Sequence, residues 1–420
     1  METATVGSLR TVGEGGMRRV FAFGASACVI VGLAGCWPAS GQGPDRRAHN
    51  EVETGFAVDT VDGFTELWTG TTDQLGPRGV GPPVVSTDGG VYATTTRSVY
   101  AFEATTGAPR WVSTPHASTP NAEVDTEVIV LASQLYASVR LSDGRWEMAI
   151  CQLSTGFCDT LAGELQARME AIREGPDRLQ VLVSQFASVA GGGTVQRGWA
   201  YLGAQNVLLT DQPNAARLTL GVTQFFHAGI GVGTAPANGV RAFPTAGGSG
   251  WATPIDGADA TSPVLSADGT TVYVGTDAGT VYALAAADGA VLWSAPVGSA
   301  VTAAPALAGD TLYVPTASGS LVALSATGCG AATCTPSWST AAGSKITVQP
   351  AVAAGVVFTG SADGAVRAYD AAGCAAATCT PSWSDATGSR ITGAPAISLG
   401  KLFVGTQDGR LIAYGLPPTP

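Results

Sequence analysis

Cysteine spacing is the strongest sign of chemistry in this chain of 420 residues. Six of the eight cysteines form three close pairs, which are Cys151 with Cys158, Cys329 with Cys334, and Cys374 with Cys379. An even number of cysteines in local pairs is typical of disulfide bonds made in an oxidising compartment. We therefore predict three local disulfide bonds in an extracytoplasmic protein, each closing a small ring that contributes about 2 kcal/mol.

A zinc site is the alternative for these cysteines, and the spacing argues against it. No pair has the Cys-x-x-Cys pattern and no histidine lies close in sequence to the last two pairs. The three histidines, which are His49, His116 and His227, are far apart and lack metal-ligand spacing. The sequence therefore predicts no metal site.

Glycine-containing motifs suggest two other kinds of chemistry, phosphate and calcium binding. The segment Gly229-Ile-Gly231-Val-Gly233 looks like part of a phosphate loop, but no helix is predicted after it, so a turn or close packing is favoured. Asp-Gly pairs occur in some calcium loops. Their place between predicted strands favours hairpin turns instead. The pairs are Asp88-Gly89, Asp268-Gly269, Asp288-Gly289, Asp363-Gly364 and Asp408-Gly409.

The N-terminus predicts export and lipid attachment. Met17-Arg18-Arg19 is a basic segment, an apolar stretch runs from Val20 to Leu33, and Leu33-Ala34-Gly35-Cys36 matches a lipobox, the bacterial signal cleaved before a lipidated cysteine. A short membrane anchor is the alternative, but the apolar stretch is below the roughly 20 residues that a membrane span needs. We predict a signal peptide over residues 1–35, with translation starting at Met17, and a lipid on Cys36.

The remaining chain divides into a tether and one domain. Residues 36–54 are rich in Gly, Pro and polar groups, so we predict a flexible tether there and expect deletion of residues 38–52 to leave thermal stability almost unchanged. Residues 55–418 form the predicted single domain. The length alone would favour two or more domains, but a repeat overrides that expectation.

The predicted strands that position the cysteines and the Asp-Gly turns repeat along the chain. One copy contains a Pro-led apolar strand at 263–265, a strand ending at Gly275, a strand at 281–284 and a final strand with Trp293. Trp338 and Trp383 follow at intervals of 45 residues. Four short strands in a period of roughly 40 to 45 residues are the signature of a β-propeller. We predict an all-β fold of eight four-stranded antiparallel blades, with seven as the alternative.

The earlier units are less regular. Val232-Gly233-Thr234 and a strand at 240–243 precede Trp251, and two eroded units cover about 121–160 and 165–211. Residues 166–173 could form a short amphipathic helix. The repeat favours a strand there, because Gly175-Pro176-Asp177 provides a turn where neighbouring units have one.

The two ends of the domain are predicted to meet. The last unit, from Pro395 to Tyr414, lacks the strand that carries Trp. Leu67-Trp68 has the spacing to the next Trp that the repeat predicts, but the other strands of its unit are missing around it. An N-terminal strand that completes the C-terminal blade would close the ring and remove exposed strand edges.

Charge limits the partners. The net charge is −11, and 13% of the residues are charged. Without a basic patch, nucleic acid is excluded, since its binding needs a cationic surface. Membrane contact is expected through the lipid on Cys36 rather than through the ring.

The pattern Val-Tyr-Ala-(Leu or Phe)-x-Ala-x-x-Gly-x-x-x-Trp, at 281–293 and 99–111, resembles the PQQ-type propeller repeat of quinoprotein dehydrogenases and of the BamB-like outer-membrane assembly lipoproteins. The resemblance covers about residues 55–415. It implies that the tryptophans pack between neighbouring blades. They are Trp68, Trp111, Trp251, Trp293, Trp338 and Trp383.

The two branches of this resemblance imply different functions. Quinoprotein dehydrogenases use a disulfide between adjacent cysteines, a Trp beneath the quinone, calcium-binding Glu and Asn, and an Asp base, and this chain has no adjacent cysteines. BamB-like proteins use the same ring without a cofactor and bind envelope proteins through face loops. We therefore expect a non-catalytic, cofactor-free scaffold. A propeller that binds a glycan or small ligand in its central funnel is the alternative, and polar and aromatic residues at the funnel mouth would favour it.

Overall fold

The fold is built almost entirely of strands, as the composition predicts. The computed structural model describes residues 47–418, except 74–77, 116–120, 132, 143–145, 162–167, 175–178, 190–192, 203–204, 213–216, 221–223, 230–237, 245–249 and 342. The helical structure in this described part is one 3₁₀ helix, Val61–Gly63. It falls far short of the length and apolarity of a membrane-crossing helix.

Two strands precede the repeating sheets: β1 (His49–Asn50) and β2 (Thr65–Thr71). Sheet 1 contains β3 (Val84–Val85), β4 (Gly90–Thr94), β5 (Val99–Glu103) and β6 (Pro109–Ser113). Sheet 2 contains β7 (Glu123–Leu131), β8 (Gln134–Arg140), β9 (Trp146–Gln152) and β10 (Cys158–Leu161). Sheet 3 contains β11 (Arg168–Glu174), β12 (Leu179–Val189), β13 (Gly193–Leu202) and β14 (Gln205–Gln212). Sheet 4 contains β15 (Arg217–Leu220), β16 (Gln224–Gly229), β17 (Gly239–Pro244) and β18 (Ala252–Pro254).

The C-terminal sheets follow the same plan. Sheet 5 contains β19 (Val264–Leu265), β20 (Thr271–Gly275), β21 (Thr280–Ala285) and β22 (Val291–Pro296). Sheet 6 contains β23 (Ala306–Ala308), β24 (Thr311–Pro315), β25 (Leu321–Ser325) and β26 (Trp338–Thr340). Sheet 7 contains β27 (Ala351–Ala353), β28 (Val356–Gly360), β29 (Ala365–Asp370) and, after the short β30 (Thr378–Cys379), β31 (Trp383–Ala386). Sheet 8 contains β32 (Ala396–Ser398), β33 (Lys401–Gly405), β34 (Arg410–Gly415) and β2.

The turn chemistry explains the antiparallel hairpins. In each of the five Asp-Gly pairs the glycine joins two adjacent strands and has a φ between +71° and +87°, a conformation that costs glycine no steric strain. The β-branched and aromatic residues on either side favour extended backbone. The predicted hairpin turns are therefore confirmed.

The irregular N-terminal half also forms strands. Residues 166–173 fall largely in β11, which is a strand and not the alternative helix. The two eroded units correspond to sheets 2 and 3. The predicted turn at Gly175-Pro176-Asp177 and the predicted strand at Val232-Gly233-Thr234 lie outside the described residues. The second strand of sheet 4 is β16, which ends before that segment.

In six pairs of neighbouring sheets the first strands contact one another, so they lie nearest the propeller axis. These contacts join β3 to β7, β7 to β11, β11 to β15, β23 to β27, β27 to β32 and β32 to β3. The connections from first to second and from third to fourth strands emerge on one face of the ring. We call it the disulfide face. The opposite face carries the second-to-third turns and the connections between sheets, and we call it the linker face.

Sheet 8 combines both ends of the domain. Strand β2 pairs antiparallel with β34, from Thr65 opposite Gly415 to Thr71 opposite Arg410, as the sequence predicts. On the linker face, a threonine in three successive connections donates a hydrogen bond to a carbonyl of the next connection. These bonds run from Thr302 to Ile346 (2.7 Å), from Thr347 to Ile391 (2.7 Å) and from Thr392 to Val80 (2.9 Å). The contact between sheets 8 and 1 therefore repeats the contacts between sheets that follow each other in sequence.

Candidate functional site at the ring axis and the disulfide face

All three predicted disulfide bonds are present, and all three lie on the disulfide face. Cys151 and Cys158 join β9 to β10. The bonds Cys329–Cys334 and Cys374–Cys379 close the loops before β26 and β31. Cys36 lies outside the described residues.

The two long disulfide loops do more than connect strands of their own sheet. The backbone of Cys334 donates to Ser294 O (2.8 Å), which places this loop against β22 of sheet 5. In the same way, β30 pairs in parallel with β26 of sheet 6, with Cys379 opposite Thr340. Each loop thus covers part of the outer edge of the preceding sheet. The sequence shows that the loops are alike, but contains no local signal for the edge that they cover.

Each described tryptophan of the repeat contacts the next sheet. Five indole N–H groups donate to backbone carbonyl oxygens there. The bonds run from Trp68 to Ala104 (3.2 Å), from Trp111 to Leu153 (2.7 Å), from Trp251 to Ala286 (2.8 Å), from Trp293 to Ala326 (3.3 Å) and from Trp383 to Phe64 (2.9 Å). Trp338 packs against Gly373, in the disulfide loop of sheet 7. An indole that is buried against one sheet and hydrogen-bonded to it fixes both spacing and orientation between sheets.

The walls of the axis are chemically plain. The first strands of sheets 1, 5, 6, 7 and 8 consist of Val, Leu, Ala, Ile and Ser residues. Side chains of this kind offer few hydrogen bonds and no titratable group to a ligand. Apart from Ser398, these strands contribute no polar or aromatic side chain to the walls of the axis.

A segment of the chain itself lies at the axis. Strand β1 pairs in parallel with the inner edge of β27, and Leu307 of sheet 6 donates to Arg47 O (2.8 Å). The side chain of Asn50, 1% exposed, donates to Ile397 O of sheet 8 (2.9 Å). The carboxylate of Glu53 accepts from Gly400 N (3.0 Å).

These contacts correct the predicted tether. Ala48, Asn50 and Glu53 are buried, so the packed structure includes residues that the sequence assigns to the tether. For residues 47–52 we therefore replace the sequence expectation by its opposite: their removal should lower the melting temperature, because it removes these buried contacts. Gly, Pro and polar composition predicts weak local structure. Composition carries no information about hydrogen bonds that a segment makes to a strand edge far away in the sequence.

Histidine does not form a shared site in the described residues. Burial, together with the nearby Arg47, lowers the pKa of His49, and Glu51 opposes this only in part. His227 lies in β16, and His116 lies outside the described residues. The described chain contains no group of three His, Cys, Asp or Glu side chains that could hold a metal ion. In the segment Gly229-Ile-Gly231-Val-Gly233, Gly229 ends β16 and the remainder is outside the description.

A groove that the sequence does not predict lies on the disulfide face, between sheets 5 and 6. It encloses about 840 Å³. Its sides are the turns that carry Asp268 and Asp310, the loop at Cys329, and Trp293. Hydrogen bonds from Ser266 and Thr270 lower the pKa of Asp268, so that its carboxylate is charged at neutral pH. The groove is therefore suited to a positively charged or hydrogen-bond-donating partner.

The residues present do not fit a pyrroloquinoline quinone. The quinoprotein branch implies a disulfide between adjacent cysteines, whereas the disulfides described here join cysteines five or seven positions apart. No chemical step is assigned to this cofactor.

Comparison with known structures supports the propeller architecture. The chain is similar to the quinohemoprotein alcohol dehydrogenase ADHIIG from Pseudomonas putida HK5 (16% identity, TM-score 0.70, covering 96% of this chain and 84% of that one). It is similar to the corresponding enzyme from Comamonas testosteroni (14% identity, TM-score 0.66, covering 92% and 81%). It is also similar to the computationally designed Ika8 protein (16% identity, TM-score 0.63, covering 83% and 99%). At such identities the likeness shows the fold alone, a β-propeller.

Comparison of sequences is more specific for the C-terminal part. No curated protein matches the chain. The family model described as outer membrane protein assembly factor BamB matches residues 237–330 and 327–416. This is the region in which the repeat, the Trp spacing and the disulfide loops are most regular. Residues 237–416 are therefore similar in sequence to the PQQ-repeat β-propeller proteins that this model describes.

Proposed function

We propose that this protein is a non-catalytic, lipid-anchored scaffold of the cell envelope, built as a closed ring of eight blades. The eight sheets, six of four strands and two extended to five by β1 and β30, support the ring and its blade number, as do the β2–β34 pair and the repeated threonine contacts. The three disulfide bonds support an oxidising, extracytoplasmic location. The lipobox at Leu33 to Cys36 supports the anchor.

The observation that carries the scaffold proposal is the occupied axis. Residues 47–53 hydrogen-bond to inner strands of sheets 6 and 7 and to sheet 8, between walls of small apolar residues. A ligand would have to displace these bonds, and it would find few polar groups in return. The faces of the ring are therefore the surfaces left for recognition.

We further propose that an envelope protein docks on the disulfide face, at the groove between sheets 5 and 6. Asp268 and Asp310 give this groove a negative charge, and Leu292, 49% exposed, adds an apolar contact. Complementary charge speeds association and selects partners. A segment with lysine or arginine beside an apolar anchor would fit this combination.

The anchor is tested by the Cys36→Ala variant. The wild-type protein is expected in the membrane fraction after an alkaline wash, whereas the variant should be released or should keep its signal peptide. Cell fractionation with N-terminal sequencing makes this measurement. A variant that stays membrane-bound with a correctly processed N-terminus would contradict lipidation.

Docking is tested by capture from detergent-solubilised envelopes of the native cell. The double variant Asp268→Asn, Asp310→Asn should retain severalfold less partner than the wild type, because two charges are removed from the groove. Glu123→Gln, on the linker face beside Arg78, is the matched control and should retain the normal amount. Equal capture by all three proteins would exclude the groove. A glycan or small molecule bound in place of a protein would favour the alternative function.

A further inference from the structure

The direction of β1 shows from which face the N-terminal segment enters the ring. Strand β1 runs parallel to β27, with His49 opposite Val352 and Asn50 opposite Ala353. Strand β27 runs toward its turn on the disulfide face, where Ala354 and Gly355 connect it to β28. Residues 47–50 therefore run toward the disulfide face, and Arg47 lies at the end of this segment that is nearer the linker face.

The chain after β1 is held on the disulfide face. Glu53 binds the turn at Gly400, and Phe56 and Phe64 pack on Phe358 with ring centroids 5.8 and 6.0 Å apart. Trp383 then donates to Phe64 O (2.9 Å). The segment thus crosses from the axis to the rim along this face, where β2 begins.

Charge separates the two faces independently of the chain direction. In the described parts of sheets 1, 2 and 5–8, the cations on the disulfide face are Arg110 and Lys401, and Arg110 is already paired with Asp88 and Glu103 at 2.7 Å. Further carboxylates on the described turns and loops of this face accept hydrogen bonds or face solvent without a cationic partner, at Asp268, Asp288, Asp310 and Asp370. The linker face carries cations throughout: Arg78, Arg97, Lys345, Arg367, Arg390 and Arg410. Carboxylates on the same face balance these cations, so the linker face is close to neutral whereas the disulfide face is acidic. They are Asp73, Glu123, Asp256, Asp259, Asp277, Asp363 and Asp408.

A bilayer distinguishes these faces. The surface potential of an anionic membrane attracts lysine and arginine and repels carboxylates within about one Debye length, roughly 8 Å at physiological salt. The tether from Cys36 to Arg47 spans at most about 40 Å when extended and less when flexible, so it keeps the ring near the membrane.

We propose that the linker face is the membrane-facing surface of the ring and contacts the lipid headgroups through its lysine and arginine side chains. The tether then leaves the axis on the same side, and the acidic disulfide face points away from the bilayer toward the protein partner. This inference rests on the proposed lipid anchor at Cys36.

The lysines of the chain can be used to test this orientation. It has two lysines, Lys345 on the linker face and Lys401 on the disulfide face. Protein purified from membranes is placed in vesicles of phosphatidylethanolamine and phosphatidylglycerol and treated with a short amine-to-amine cross-linker. We expect lipid adducts on the peptide of Lys345 at least about fivefold more often than on that of Lys401, after each is normalised to its labelling by a soluble amine reagent in detergent.

The normalisation is needed because the two amines differ in their reactivity toward the reagent. Burial lowers the pKa of Lys401, and a nearby Glu53 opposes this only in part. A preference for Lys401, or equal lipid labelling of both lysines, would overturn the proposed orientation. Failure of the purified protein to carry a lipid would refute the anchor instead. In that case the chain from residue 36 is coupled through the Cys36 thiol to a maleimide lipid, which is possible because the other six cysteines of this form are paired. The same lysine ratio then decides the orientation.

Discussion

A protein that begins at residue 72 is expected to aggregate, or to melt far below a protein that begins at residue 47. The shorter form lacks β2, which leaves the edge of β34 without its hydrogen-bonded partner. It also lacks Trp68, whose ring contacts Phe102 and Phe403 and whose N–H binds Ala104. Loss of a packed Trp costs about 3–5 kcal/mol, against a total stability of about 5–15 kcal/mol.

A third form, beginning at residue 55, separates the two contributions. It keeps β2 but loses β1 and the hydrogen bonds of Asn50 and Glu53, so we expect an intermediate melting temperature. Each buried polar group left without a partner costs about 1–3 kcal/mol. Calorimetry of the three forms makes the comparison. Equal melting of the forms starting at 47 and 55 would mean that the axial segment does not stabilise the ring, and equal melting of all three would mean that β2 does not close it.

Gly373→Ala is expected to destabilise the protein much more than Gly388→Ala. Both glycines have left-handed backbone, with φ of +88° and +77°, so both variants carry a strain of about 1–2 kcal/mol. At Gly373 an added Cβ would lie 2.6 Å from Cδ1 of Trp338, whereas at Gly388 nothing lies within 4 Å. We expect a further loss of about 1–3 kcal/mol at Gly373 from overpacking between sheets 6 and 7.

Chemical denaturation of the wild type and the two variants measures the difference directly. Because backbone strain is common to both, the gap between their unfolding free energies reports the tryptophan contact alone. A gap near zero would show that Trp338 moves aside without loss, and that the contact between sheets is adaptable. A full gap would show that the position of each repeat tryptophan is set by the glycine on which it packs.

The repeat, the hairpins and the disulfide pairs were accessible from the residues alone because each depends on near neighbours. An Asp-Gly pair between alternating strands specifies its turn, and cysteines five or seven positions apart can reach each other within one loop. The strand pairing of β2 with β34 was also predictable, despite its distance, because the repeat left one unit short of a strand and one strand without a unit. Counting the strands of each repeat was therefore enough to predict this long-range contact.

The parallel pairings could not be predicted in this way. Strands β1 and β30 bind the edges of β27 and β26 through backbone N–H and carbonyl groups, which every residue other than proline possesses, so their side chains do not specify the partner. For the same reason the sequence did not predict the packing of residues 47–54 or the groove between sheets 5 and 6. Both depend on contacts between segments of different sheets. Local side-chain patterns determine which segments become strands and turns. Which exposed edge a short segment covers, and which grooves result, depends on how the finished sheets are arranged around the axis.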